Sequence, residues 1–219
     1  MPKFIECFQH DEFGVPTREW MAARCGRITA SRLGDVMAYS TQKGKEGKEL
    51  KVRADYRSEL AAERMTGMNA RHFVTPEMKW GQEQEDYARS MYEVERGVMV
   101  DQIGFAIHPT IDFSGSSPDG LIGSERGVDF KCFTTERHIS IYKSKQVPQE
   151  IYDQLQWNMV CCELPLWDVC FYDPLLVGPY EHLKMFVLPV QYDDKRVLEL
   201  EAEVRKMDSE INQFMEALK

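Results

Sequence analysis

Two acids and a lysine lie close together near the middle of the chain. Asp119 sits in Ser117-Pro118-Asp119-Gly120, and Asp129 and Lys131 in Val128-Asp129-Phe130-Lys131-Cys132. Side chains alternate faces along a strand, so Val128, Phe130 and Cys132 are expected to enter the core. Asp129 and Lys131 then project together from the opposite, exposed face. Two strands joined through a short turn at Asp119 would bring its carboxylate beside that of Asp129. Such carboxylates repel unless a divalent cation lies between them, and oxygen ligands with open water positions suit Mg²⁺. A cation there orients an attacking water and neutralises charge developing on a phosphodiester; a neighbouring lysine positions the water or stabilises phosphate oxygens. The same residues also fit a surface Asp–Lys pair and an ordinary Pro-Asp-Gly turn. Spacing alone leaves both open.

A third acid favours the chemical reading. Thr75-Pro76-Glu77 supplies a capping hydroxyl, a proline for the first helical position and an early acid, so a helix is predicted from there to about Glu95. Gly81, Glu85, Ala88 and Tyr92 form one stripe on it, which directs Glu85 at the sheet, whereas Glu83 sits with Lys79 and Asp86 towards water. An acid directed inward needs a cation or donors to offset its desolvation.

The elements around these residues follow from caps and periodicity. Thr17 caps a short helix carrying Trp20, Met21 and Arg24 that Gly26 ends, and Thr29 or Ser31 caps another with Leu33, Val36 and Met37. The glycine-broken basic stretch from Lys43 to Lys48 reads as a loop. A helix over about 49–66 follows, with Leu50, Ala54, Ala61 and Met65 on one side. Short strands are predicted near 98–100, 103–107, 112–116, 121–123 and 127–133, then a helix opened by Pro148 to about 162. Strands near 167–172 and 182–190 precede a last helix over about 194–218. Its Val197, Leu200, Val204, Met207, Ile211, Phe214 and Leu218 recur every three or four positions, so it packs on the body or on a partner. The class is α/β or α+β, a central mixed sheet flanked by helices.

At 219 residues, with 43% hydrophobic and 11% aromatic content, the chain is read as one globular domain over 1–219. No apolar run approaches a signal peptide or a membrane span, so a soluble cytoplasmic protein is expected. The six cysteines lack C-x-x-C spacing and the five histidines are scattered, which argues against zinc and iron–sulfur sites. Cys161 and Cys162 are read as small core residues, His108 and His138 as surface or packing residues, and Trp157 and Trp167 as core. A net charge of −9 opposes coating of nucleic acid through a global field. It permits one basic cleft, because screening confines exposed charges to about 10 Å. Lys43, Lys45, Lys48, Lys51 and Arg53 fit either a solvated loop and helix start or a backbone-phosphate contact.

Trp80-Gly81-Gln82-Glu83-Gln84-Glu85 with Ala88-Arg89, Ser117-Pro118-Asp119-Gly120, Asp129-Phe130-Lys131-Cys132 and Gln154-Leu155-Gln156 resemble the lambda-type, YqaJ-like phage exonucleases of the PD-(D/E)xK nuclease superfamily. Arg24-Cys25-Gly26-Arg27-Ile28-Thr29-Ala30-Ser31 looks like the same family's N-terminal segment, so the resemblance spans about 17–175. It implies a restriction-endonuclease-like core and a 5′→3′ double-strand DNA exonuclease dependent on Mg²⁺, with two ions and Mn²⁺ able to substitute. The product would be mononucleotides, with the 3′ strand left for a phage single-strand annealing protein, inside the bacterial host. Glu85, Asp119 and Asp129 with the Phe130 carbonyl would hold metal, Lys131 would orient the water, and Gln154 would line the site. Arg24, Thr29, Ser31, Ser117 and Arg137 fall where the family binds a terminal 5′-phosphate, and a homotrimeric ring around duplex DNA is implied. Where the family usually carries glutamate, this chain has Asp129. A structure- or sequence-specific endonuclease and a non-catalytic DNA-binding relic are the competing functions.

Overall fold

The computed structural model of the chain describes residues 2–70 and 76–219, apart from the side chains of Glu77 and Met78; the cap expected at Thr75 lies outside them. Seven helices are described: α1 (Arg18–Arg24), α2 (Leu33–Val36), α3 (Lys51–Thr66), α4 (Pro76–Arg96), α5 (Thr135–Ser144), α6 (Gln149–Cys162) and α7 (Asp194–Glu216). Four short strands, β1 (Lys3–Ile5), β2 (Ile28–Thr29), β3 (Phe105–Ile107) and β4 (Ser114–Ser116), form one sheet in the order β1-β3-β4-β2. The second sheet is β5 (Gly120–Ile122), β6 (Arg126–Lys131), β7 (Leu166–Tyr172) and β8 (Met185–Gln191), in that order. Each sheet is mixed: β2 runs parallel to β4 and β6 to β7, and the other pairs are antiparallel. The single central sheet expected from sequence is thus divided at Ser117-Pro118-Asp119, where proline has no N–H to continue a ladder.

The β6–β7 pair is buried on both faces. Val128, Phe130, Cys170 and Tyr172 pack with Ala88 and Tyr92 of α4. The opposite face meets a larger core that includes Leu155 and Trp157 of α6, Trp167, Val169 and Phe171 of β7, and Leu200, Val204 and Met207 of α7. Alternation along β6 is as predicted, but the face carrying Asp129 lies under α6 instead of facing water. Parallel strands normally sit in that double-covered setting.

Several helices follow their sequence signals. The Thr17 hydroxyl accepts the Trp20 N–H, and Gly26 takes a left-handed φ of 70° after α1. The expected cap at Thr29 or Ser31 makes no side-chain bond; the chain there passes through a 3₁₀ turn into α2. The buried face of α3 is Arg53, Tyr56, Leu60, Ala61 and Glu63, while Leu50 and Met65 are exposed. Apolar periodicity fails there because two charges are satisfied inside. Arg53 donates to the Val36 carbonyl (3.0 Å), Glu49 (2.7 Å) and Glu210 of α7 (2.7 Å), and Glu63 accepts the N–H groups of Gly26 and Ala70 (both 2.7 Å). Arg53 therefore belongs to the α3–α7 contact, not to a DNA-facing loop; Lys43, Lys45 and Lys48 do lie in an exposed loop.

No strand forms at 98–100; the next residue, Asp101, makes an isolated bridge to Leu121, and α5 is a helix not among the predicted elements. The six cysteines are free, with Cys161, Cys162 and Cys170 buried. His108 is buried against Trp157 (4.7 Å between ring centroids), where burial lowers its pKa to about 4, and His138 bonds the Leu183 carbonyl. Both pack; neither is bonded to Asp119 or Asp129.

Helix α7 packs on the body, with Val197, Leu200, Val204, Met207 and Ile211 buried and the terminal Phe214 and Leu218 exposed. Truncating Leu200, which has no exposed surface, should remove transfer energy and leave a cavity. Leu200→Ala is expected to lower unfolding free energy by about 2–5 kcal/mol in a urea titration, against under about 0.5 kcal/mol for Leu198→Ala on the outer face.

Candidate active site

The turn after β4 and the end of β6 converge beneath α4. Gly81 lies against the Cys132 carbonyl and Tyr92 meets Phe130 edge-on at 5.8 Å, so α4 runs along β6 and brings Glu85 over its C-terminal end. Ala88 and Tyr92 are buried on the same stripe, while Glu83 and Asp86 are exposed, as the spacing predicts. Asp119 precedes β5, and its Oδ2 accepts the Phe130 N–H at 2.7 Å, which pins the turn to β6. Among the described residues no donor bonds the Glu85 carboxylate.

Asp129 has a different environment. It has no exposed surface, and four donors reach it. Oδ2 accepts from Lys131 Nζ (2.9 Å) and Gln154 Nε2 (3.1 Å), and Oδ1 from Asn158 Nδ2 (2.9 Å) and Trp167 Nε1 (3.2 Å). Asn158 lies one turn beyond Gln154 on α6, so the helix period could have found it. Trp167 had no such signal. Its indole reaches Asp129 because Gly127, its partner across β6–β7, leaves the space open; a side-chain carbon on Gly127 would overlap the ring.

Electrostatics separates these groups. Burial raises the Glu85 carboxyl; Lys131 opposes this and Asp129 adds to it, leaving a net increase. Burial also raises Asp119, reinforced by Glu85 and Asp129, well above the usual carboxylate range. Burial alone would lower the Lys131 ammonium, but Asp129, Asp119 and Glu85 raise it, so it remains charged. One lysine faces three acids. Two desolvated acids short of positive charge fit a divalent cation with oxygen preference. Among the described residues no three Asp, Glu, His or Cys side chains come together as a ligand group.

Beside the acids, the residues expected to bind phosphate divide into a cluster and an outlier. Ser117 Oγ accepts from Trp20 Nε1 (2.8 Å) and Arg24 Nη1 (3.1 Å), which leaves its own O–H free to donate outward. Arg24 stacks 4.5 Å from the centre of the Trp20 ring, one helical turn away; burial lowers its pKa, yet a guanidinium keeps its charge. Strand β2 places Thr29 opposite Gly115, two residues before Ser117, with Ser31 3.4 Å from Thr29 between hydroxyl oxygens. Arg137 stands apart: it pairs with Glu150 at 2.5 Å and stacks on Phe133, and no bond joins it to the other four. A cavity of about 930 Å³ beside this cluster is lined by Glu85, Asp119, Thr17 and the segment from Phe4 to Asp11.

A family model for the YqaJ-like viral recombinase domain matches residues 19–165, about two thirds of the sequence, a span that holds Glu85, Asp119, Asp129, Lys131 and Gln154. The chain belongs to the YqaJ-like viral recombinase family. The fold agrees. A crystal structure of an alkaline exonuclease (LHK-Exo) from Laribacter hongkongensis is 34% identical, with a TM-score of 0.82 over 92% of this chain and 96% of that one. The same enzyme in complex with dAMP matches equally well over 93% and 96%. A phage related exonuclease from Haemophilus somnus 129PT, 17% identical with a TM-score of 0.65, covers 88% of this chain and 96% of its own and shares the fold. No curated protein sequence matches the chain. Membership of this family supports a DNA exonuclease role.

The repulsion between acids has a measurable consequence. Asp119 is raised in the folded state, so the native chain binds this proton more tightly than the unfolded one, whose value is near 3.8. That stability is present at acid pH and is lost as the pH rises through the folded value. In chelator, Asp119→Asn should therefore melt higher than the parent near neutral and alkaline pH, by about 2–4 °C per kcal/mol relieved, with the difference closing towards pH 4. Equal melting temperatures at alkaline pH would contradict the charge analysis.

Proposed function

We propose that the chain is a Mg²⁺-dependent 5′→3′ exonuclease of double-stranded DNA that releases mononucleotides and leaves a 3′ strand for a phage annealing protein. One observation supports this above the others: Ser117 and Asp119 belong to the same turn. Two residues of chain span at most about 7 Å, a reach comparable to the length of one nucleotide. A terminal phosphate on Arg24, Ser117, Thr29 and Ser31 would place the next phosphodiester at Asp119 and Glu85, so each cut would free one nucleotide. An enzyme that cuts internally has no use for the first of these sites.

Glu85 and Asp119, with the Phe130 carbonyl, are the groups we assign to the cation, which when bound would polarise the phosphate and make water a better nucleophile. Lys131 then directs an N–H at the water or at a phosphate oxygen, and Gln154 sets the direction from α6. Arg24 and Ser117 orient the terminal phosphate through charge-assisted bonds. Arg137, released from Glu150, would close that pocket. The family resemblance also implies a homotrimeric ring of about 77 kDa, three times the 25.5 kDa chain. An acidic exterior with basic residues in the channel would reconcile the net charge of −9 with DNA binding. Among the described residues no helix is long and apolar enough to cross a membrane, and the reading places the protein in the host cytoplasm.

Lys131→Ala should lower kcat by about 10²–10⁴ while leaving duplex binding nearly intact; digestion at the parent rate would remove the catalytic assignment. The decisive substrate comparison is linear against covalently closed circular duplex: only the linear form should release nucleotides, with Mg²⁺ and not with a chelator. Degradation of the circle would favour an endonuclease, and inertness on both a relic.

Duplexes ending in a 5′-hydroxyl should be attacked about 10–100-fold more slowly than 5′-phosphorylated ones, since a bond to a charged group contributes about 1.5–3 kcal/mol. Arg24→Ala should erase most of that difference. Equal initiation by the parent at both ends would eliminate the phosphate pocket. Light scattering should find the trimer mass.

A further inference from the structure

Asp129 stands where the resemblance implies a metal-binding glutamate, yet its geometry is that of a buried anchor. A carboxylate offers about four lone-pair sites, and here all are used: two by Asn158 and Trp167 on Oδ1, two by Lys131 and Gln154 on Oδ2. The Oδ1 donors come from the body of the molecule. Asn158 and Trp167 have no exposed surface, and Trp167 is fixed over the bare backbone of Gly127. The Oδ2 donors are partly exposed, and Lys131 also interacts with Glu85 and Asp119. The carboxylate thus stands between a rigid pair behind and a functional pair in front, and with one methylene fewer than glutamate it has less reach. Asp119 differs: among the described residues only one of its oxygens is used, by the Phe130 N–H.

We infer that Asp129 in this chain is a positioning residue: held back by Asn158 and Trp167, it aims Lys131 and Gln154 at the reacting centre and leaves cation binding to Glu85 and Asp119. The inference rests on the metal-dependent reading proposed above. It distinguishes a residue that binds the cation from one that directs the lysine, which the amino-acid pattern alone treats alike.

The test is calorimetric titration of Mn²⁺ into the full-length protein without DNA, alongside steady-state digestion of linear duplex. Asp119→Asn should weaken Mn²⁺ binding at least about tenfold, whereas Asp129→Asn should hold it within about threefold. Its kcat should nevertheless fall by two decades or more at unchanged KM for DNA. Asp129→Glu keeps the charge opposite Lys131 and carries the test even if the amide variant does not fold. Its longer side chain cannot keep all four donors, so it should reach the cleft and tighten Mn²⁺ binding at least about threefold. Loss of Mn²⁺ binding in Asp129→Asn equal to that in Asp119→Asn overturns the inference, as does unchanged or weaker binding in Asp129→Glu. A parent protein with no Mn²⁺ site sensitive to Asp119 would instead sink the metal reading, and this inference with it.

Discussion

A carboxylate removed from water is unfavourable unless donors replace the hydration it loses, and the centre of this molecule is organised around meeting that demand at Asp129. The donors come from three elements: Lys131 from β6 itself, Trp167 from β7, Gln154 and Asn158 from α6. Each fixes its element. Strand β7 must be parallel to and in register with β6 so that Trp167 falls opposite Gly127, and α6 must lie over the sheet with the Gln154–Asn158 face down. The rest of the site follows from this frame, because Asp119 is pinned to Phe130 and α4 packs along the other face of the same strand.

The arrangement separates rigid from responsive parts. On the α4 side the contacts are apolar and edge-on, with Tyr92 against Phe130 and its hydroxyl bonded to Asp168 at 2.6 Å. On the α6 side they are polar and directional. Glu85 and Asp119 sit where the two layers meet, half-buried and close enough to repel, which is the state a cation relieves.

Much of this was legible in the residues. Thr17 and Gly26 marked the ends of α1, Pro148 the start of α6, and the alternation from Val128 to Cys132 gave the two faces of β6. The Gly81–Tyr92 stripe by itself directs Glu85 inward. What could not be read were the choices that depend on partners far along the chain. The buried face of α3 includes Arg53 and Glu63, polar residues that hydropathy assigns to water, because their partners are Glu210 and the backbone at Gly26 and Ala70. Asp129 was expected on an open face for the same reason: alternation sets the side of a sheet and says nothing about what covers it. Asn158 was within reach of helix spacing, whereas Trp167 required the β6–β7 register. Arg137 differs again: its place comes from resemblance alone, and the structure pairs it with Glu150.

The contact between α3 and α7 bears on how the molecule comes into being. Arg53 and Glu210 are 157 residues apart, and the apolar stripe of α7 completes the core that α3 and α6 share. A chain emerging from the ribosome exposes α3 long before α7 exists to cover it, so Arg53 has Glu49 beside it but not Glu210 until α7 has been made. Contacts of such separation close large loops and slow folding. Completion of the native core therefore waits for α7, and until then the exposed apolar surface is a target for chaperones and for aggregation.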